Sequence, residues 1–258
     1  NNPDRVIYLA DARQSMHFIQ VFRCARKTGI VPDTTELVHI GFGTMNGKDG
    51  KPFKTRDGGV MRLEYLLKEI DDEMLNKIKE NQKEKENLNI DEAEAEQTAK
   101  TVALAAVKYG DLSNQASKDY IFDIDRFTSF EGNTGPYILY TIVRIKSILS
   151  KYEAKGGDIS ALKDAIMPAV NAGQKNLMLS LAKFNATIES AYEESAPHKI
   201  CAYIYELANA FNGFYHDTKI LSEENEELKK SYISLLVLTK EILEACIDML
   251  GFSAPDRM

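Results

Sequence analysis

The side chains with the clearest chemical capacity lie in one glycine-rich stretch, residues 46–59, NGKDGKPFKTRDGG, which carries Lys48, Lys51, Lys54 and Arg56. It follows directly on Leu37-Val38-His39-Ile40-Gly41-Phe42, an apolar run with the composition of a buried strand. Lysines on a loop at the carboxyl end of a parallel strand can close over phosphates, putting positive charge where a phosphoryl centre becomes more negative. The stretch is not a Walker loop, because GxxxxGK[ST] is absent. A solvated hairpin whose lysines serve solubility would have the same composition, so it is the position after a strand that favours chemistry.

The four histidines, His17, His39, His198 and His216, show neither HExxH nor paired-cysteine spacing, and no metal site is expected. His17 follows Gln14 by three residues on one helical face, at the carboxyl end of the first apolar run; taken alone it suits a surface or packed core histidine. Tyr137, Tyr140 and Arg144 share a helical face at i, i+3 and i+7. Aromatic rings and a guanidinium so placed can stack unpaired bases, with core packing the alternative for at least one tyrosine.

These residues need elements to hold them. Val6-Ile7-Tyr8-Leu9 reads as a strand buried on both faces, 14–27 as a helix with Phe18, Ile19, Val21, Phe22 and Ala25 on one side and Gly29 as its stop, and 37–42 as a second strand. Strand, helix, strand is a βαβ unit with parallel strands, and two strands alone cannot make a stable parallel sheet. Further strands are therefore expected before Asn1. From Arg62 a helix carries Leu63, Leu66, Leu67, Ile70, Met74 and Ile78, with 79–89 as its solvated end. Asp91-Glu92-Ala93-Glu94 has capping-box form for a helix through Tyr109, closed by Gly110. Residues 111–135 read as irregular, with short strand or loop character. Pro136 suits a first helical turn, with Tyr137, Tyr140, Ile145 and Ile148 or Leu149 inside and Gly156-Gly157 as the break. Three stripes follow, through Leu177, Leu181, Phe184, Ile188 and Ala191; through Ile200, Ile204, Leu207, Phe211 and Phe214; and through Leu228, Tyr232, Leu235, Ile242, Cys246 and Met249. Three or four long amphipathic helices make a bundle.

The chain of 258 residues is 44% hydrophobic, enough for a packed core, which excludes a disordered or collagen-like chain. Its length predicts two domains, or a domain with an appendage. No apolar run approaches the ~18 residues of a membrane helix, and the first residues do not have the charged-then-apolar pattern expected of a leader. Cys24, Cys201 and Cys246 are far apart and read as buried thiols in a reducing compartment, so a cytoplasmic protein is expected. The net charge of −7 divides into +3 for 1–65, −7 for 66–135 and −3 for 136–258. That argues mildly against a general nucleic-acid binder but leaves room for an RNA reader built on aromatic rings and a few cations.

The segment 6–22, VIYLADARQSMHFIQVF, resembles the stretch of bacterial arginyl-tRNA synthetases that enters the active site. The likeness continues through LVHIGFGTMNGKDGKPFKTRDGG (37–59), AAVKYGDLSNQASKDYIFDIDRFTSFEGNTGPYILY (105–140), CAYIYELANAFNGFYHD (201–217) and the ending GFSAPDRM. The resemblance implies a mainly α chain: the remnant of a Rossmann-type α/β catalytic domain over 1–60, a helical connection over 61–135 contacting the tRNA stem, and a DALR-type anticodon-binding helical bundle over 136–258. It implies a class I ligase that activates arginine with ATP and Mg²⁺ to an adenylate and passes it to tRNA(Arg). Lys51-Pro52-Phe53-Lys54-Thr55 looks like a degenerate KMSKS loop, which makes Lys51, Lys54 and Arg56 the catalytic candidates. Gln14 matches the arginine pocket, His17 a position beside the nucleotide, and Phe42, Gly43 and Met45 the segment whose backbone holds adenine. Tyr137, Tyr140, Tyr215, Arg257 and Met258 match the anticodon-loop side, where Arg144 joins them by its place on the same face.

The HIGH motif of the family occurs nowhere in these residues. The expectation is therefore a C-terminal piece of such an enzyme, inactive by itself and monomeric. The rival readings are a non-catalytic tRNA-binding module derived from a synthetase and a helical scaffold with no RNA role.

Overall fold

The computed structural model describes residues 3–51, 62–84, 91–162 and 165–258, with the side chains of 81–84 excepted. These residues form two compact units, 1–61 with 114–123 and 62–113 with 124–258.

In the first unit β1 (Arg5–Asp11) leads through a 3-10 turn (Ala12–Gln14) into α1 (Ser15–Lys27) and back to β2 (Glu36–Phe42). The strands pair in parallel, from Arg5 opposite Glu36 to Asp11 opposite Phe42, so the βαβ unit is present. Gly29, at φ +70°, takes the left-handed turn that ends α1. Successive strand side chains face opposite ways. Tyr8 meets Phe18 and Phe22 of α1 at 5.3 and 5.4 Å between ring centres, and His39 stacks on Phe18 at 4.6 Å. On the other side Ile7 and Leu9 are 49% and 68% exposed, and Phe42 is 42% exposed. Burial on both faces is thus not met: among the described residues α1 covers one side of a two-stranded sheet. A short second sheet joins β3 (Met45–Asn46) to β4 (Tyr120–Ile121), also in parallel.

The second unit contains α2 (Leu63–Glu84), α3 (Glu92–Leu112), α4 (Ile124–Phe127), α5 (Gly135–Ala154), α6 (Ala172–Ala182), α7 (Phe184–Glu193), α8 (Pro197–Asp217) and α9 (Glu226–Met249). Short polar side chains cap four of these helices: Asp91, Thr134, Asn171 and Asn225 each accept a backbone N–H of the first turn. The core runs along Leu66, Ile70, Met74 and Ile78, then through Ile138, Ile142 and Ile145 to Leu207, Phe211 and Phe214.

Several expectations are corrected here. Leu63 is 64% and Met249 50% exposed, because each sits at the outer end of its stripe. Gly110 does not close α3, which runs on to Leu112 with Gly110 packed against the Phe127 ring. The stripe from Leu177 to Ala191 is two helices, since the Lys183 N–H turns back to Ser180 O and ends α6. Among the described residues from Gly135 onward, α5, α8 and α9 are the long helices expected, and α6 and α7 are two shorter ones in place of the single stripe. Residues 111–135, read as irregular with short strand or loop character, contain the short strand β4 as expected and, beyond that reading, the one-turn helix α4.

The stretch FEGNTGPY has a packing reason. Gly132 adopts φ +80°, the Asn133 side chain accepts from the buried Tyr109 hydroxyl at 2.6 Å, Thr134 caps α5, and Pro136 stands in its first turn. A Cβ on Gly135 would lie 2.4 Å from the Ala105 carbonyl oxygen of α3. Gly135→Ala must push the backbones of α3 and α5 apart, and is expected to cost about 1–3 kcal/mol and lower Tm by roughly 2–12 °C. Thermal unfolding checks this; an unchanged Tm would contradict it.

Of the thiols, Cys201 and Cys246 are buried, but Cys24 is exposed on α1, contrary to expectation. Desolvation pushes both buried thiols from the ordinary 9.0 up to about 12. The fold thus favours the neutral thiol, and the stability it contributes is complete below the unfolded value near 9 and lost as pH rises towards 12. Urea midpoints are expected to fall between about pH 8 and pH 10.5, with Cys24 the first thiol alkylated at neutral pH. Flat midpoints, or equal labelling of all three thiols, would count against this.

Candidate functional site

The carboxyl edge of the first unit gathers the residues singled out for arginine and nucleotide. Gln14 ends the turn after β1 and precedes α1, exposed and with its side chain taking no part in the helix cap; His17 is exposed one turn on, its ring edge against Phe18. Phe42 ends β2 opposite Asp11. In open α/β sheets ligands bind at the carboxyl ends of the strands, and these residues share that edge.

The backbone expected to hold adenine is already engaged in places. Gly43 N–H donates to Ala116 O at 2.9 Å and Thr44 N–H to Asp119 Oδ1 at 2.6 Å. A Cβ on Gly43 would lie 2.4 Å from the Lys118 carbonyl carbon, so the close approach of 116–119 requires glycine there. Tyr120 N–H donates to Thr44 O and Phe122 N–H to Asn46 O. Bonded positions alternate along a parallel ladder, which turns the peptide edge of Met45 away from β4. Met45, and not Gly43, is the better placed of the two to offer backbone groups to a ligand.

At the same edge the Asp11 carboxylate takes the Arg13 guanidinium at 2.6 and 2.9 Å and the Arg13 N–H at 2.8 Å, which together lower its pKa to about 2. Sequence reasoning passed over this pair, although DxR just past a strand is its signal. Of the cationic stretch, Lys48 pairs with Asp123 at 3.0 Å. Lys51 is exposed, its carbonyl closing a turn with Gly47 N–H at 2.8 Å. Lys54 and Arg56 lie outside the described residues.

In the second unit α5 and α8 bring three of the proposed RNA-facing residues together. The Arg144 guanidinium lies 4.8 Å from the centre of the Tyr140 ring and 5.4 Å from that of Tyr215. Tyr215 is 41% exposed and stacks on the buried Phe211 at 6.0 Å. The two helices run the same way here, as contacts step from Tyr137 with Asn209, through Thr141 with Asn212, to Arg144 with Tyr215. Rings and guanidinium form a half-open surface suited to stacking on unpaired bases.

Tyr137 takes the packing alternative that its spacing left open, and not the RNA-facing place that the resemblance implied. Its hydroxyl donates to Asn209 Oδ1 at 2.7 Å and accepts from Asn212 Nδ2 at 2.9 Å, and its ring meets Tyr205 edge-on at 5.7 Å. It is a link between the helices. Arg257 is also engaged, its guanidinium bridging both oxygens of Glu94 at 2.6 and 2.9 Å. Arg257 thus goes to the start of α3, and no described contact brings it or Met258 to the Tyr140–Tyr215 surface.

Comparison with known proteins gives these placements relatives. Residues 1–124 match the profile described as tRNA synthetases class I (R), catalytic domain, and residues 138–258 match the DALR anticodon binding domain. The arginine–tRNA ligase of Alkaliphilus oremlandii is 54% identical over 257 residues, covering all of this chain and 42% of that protein. That of Francisella tularensis (strain WY96-3418) is 43% identical over 259 residues, again with 42% of its length covered. Along its whole length the chain is similar to arginyl-tRNA synthetases. Among solved structures, arginyl-tRNA synthetase from Plasmodium falciparum has a TM-score of 0.80 at 27% identity, covering all of this chain and 42% of that one. The Thermus thermophilus arginyl-tRNA synthetase, at 24% identity and TM-score 0.80, shares the fold.

The chain spans 42% of the length of the curated relatives it matches. No helix among its described residues is long and apolar enough to cross a membrane. Sequence reasoning missed Tyr205, Asn209 and Asn212, although their i, i+4, i+7 spacing marks a polar stripe beside the apolar one on α8. A cavity of about 560 Å³ lies between the far end of α5 and α9, lined by Leu162, Val237, Leu238 and the carboxylates Glu153 and Glu241. It contains none of the residues singled out for chemistry.

Proposed function

We propose that this chain belongs to an arginine–tRNA ligase, contributing the later portion of its catalytic domain and its anticodon-binding bundle. In the reaction so assigned, an arginine carboxylate oxygen attacks the α-phosphorus of ATP and pyrophosphate leaves, Mg²⁺ entering with the nucleotide. A ribose hydroxyl at the end of tRNA(Arg) then attacks the acyl carbon and releases AMP. Gln14 is assigned to the arginine side, His17 with Phe42, Gly43 and Met45 to the nucleotide, and Lys51, Lys54 and Arg56 to the phosphates, where positive charge is worth most as negative charge builds up. The protein is taken to act as a cytoplasmic monomer.

The observation that carries the RNA half of this reading is the half-open Tyr140–Arg144–Tyr215 surface within the residues that match an anticodon-binding domain. Affinity built on stacking agrees with a bundle whose net charge is −3. The test is ATP-dependent attachment of labelled arginine to tRNA by the full-length protein that carries this chain. Charging with arginine alone among the amino acids supports the reading, and tRNA binding without charging returns it to the non-catalytic module.

Residues 1–258 by themselves are expected to give no arginine-dependent pyrophosphate exchange. The chemistry needs preorganised groups on both sides of the phosphates, and this chain supplies 42% of the length of its relatives. Exchange above background with the purified chain would reverse this expectation.

A further inference from the structure

We infer that Asn212 is a positioning residue for tRNA recognition, holding the Arg144 guanidinium against the Tyr140 and Tyr215 rings and anchoring it through Tyr137. The inference rests on reading this face as the tRNA surface. Arg144 Nη1 donates to Asn212 Oδ1 at 2.7 Å, Asn212 Nδ2 donates to the Tyr137 hydroxyl at 2.9 Å, and that hydroxyl donates to Asn209 Oδ1 at 2.7 Å. All the bonds run in one direction, from the cation to an amide oxygen on α8. Reversing the Asn212 amide would set its NH₂ against a guanidinium and its oxygen towards a hydroxyl already serving Asn209, so the relay fixes the orientation of each member.

An arginine on a helix surface has several rotatable bonds, and its guanidinium ordinarily samples many positions. Here one N–H is tied to a half-buried amide while the planar group lies near two rings, so its freedom is lost before RNA arrives. No other described acceptor takes the remaining Arg144 N–H groups, which leaves that edge for a base or phosphate oxygen. Tyr137 has its hydroxyl occupied in both directions and acts as the strut of the relay. Asn212 therefore affects RNA without touching it, because preorganisation removes an ordering cost from binding.

The test is a double-mutant cycle in the full-length protein, reading tRNA dissociation constants with circular dichroism to confirm folding. Asn212→Leu is expected to weaken tRNA binding about tenfold, the scale of one charge-assisted hydrogen bond. Arg144→Met is expected to weaken it at least as much, and the double variant no further, because Asn212 acts through Arg144. An amide that merely stabilises the α5–α8 contact gives multiplying effects, which would overturn the inference. So would wild-type affinity in folded Asn212→Leu. If that variant does not fold, Asn212→Ser, too short to reach the guanidinium, is read in the same way. Tyr215→Ala and Arg144→Met both binding like wild type would remove the tRNA surface and this inference with it. Losses at those two positions with none at Asn212 would remove the inference alone.

Discussion

Alanine at Lys51 or Lys54 in the full-length protein is expected to slow arginine activation about 10²–10³-fold while weakening arginine binding far less. A cation that meets phosphate chiefly as negative charge builds up acts on turnover, and losing such a group costs about 3–4 kcal/mol of transition-state stabilisation. Lys51 is suited to this by exposure and by its place at the end of a turn beyond β2. Lys48, in contrast, is held by Asp123. Pre-steady-state pyrophosphate exchange at saturating and subsaturating arginine separates the two effects. Unchanged turnover at both lysines would return the stretch to a solvated hairpin.

The second large effect is expected at Tyr215. Removing its ring should weaken tRNA binding about tenfold to a hundredfold, corresponding to about 1–3 kcal/mol for one stacked base. Phe should keep most of that affinity, because the ring lies on Phe211 with the Arg144 guanidinium nearby. The side chain is 41% exposed, so Ala leaves the bundle folded. A fall in Tm that parallels the loss of affinity would make this a packing residue. Tyr140 is half-buried, and its Ala variant is expected to show both effects, with the loss of affinity the larger.

What could be read from sequence followed the range of the interaction. The cap at Asp91, the first helical turn at Pro136 and the stop at Gly29 depend on neighbours within a turn, and the βαβ unit on the short order strand, helix, strand; all stand where spacing put them. The surface of Tyr140 and Arg144 was legible for the same reason, being one helical face. Its partner Tyr215 came from family resemblance and could not have come from periodicity. The role of Tyr137 was hidden because its partners Asn209 and Asn212 lie 72 and 75 residues away. The break at Lys183 was hidden by the absence of Gly or Pro, with apolar residues still in helical phase on both sides. Residues 114–123 join the first unit through β4, two residues long and too short for any alternation to show. The exposure of Ile7 and Leu9 was misread because an apolar strand reads the same whether or not something covers it.

Photo-crosslinking from the α5–α8 surface tests most directly whether that surface faces the anticodon loop. A photoreactive phenylalanine analogue at position 215 of the full-length protein, irradiated with tRNA(Arg) and mapped by reverse transcription, is predicted to mark nucleotides of the anticodon loop. The mark should weaken when Arg144→Met is introduced. Crosslinks confined to the acceptor stem, or none under conditions where the protein charges tRNA, would contradict this placement.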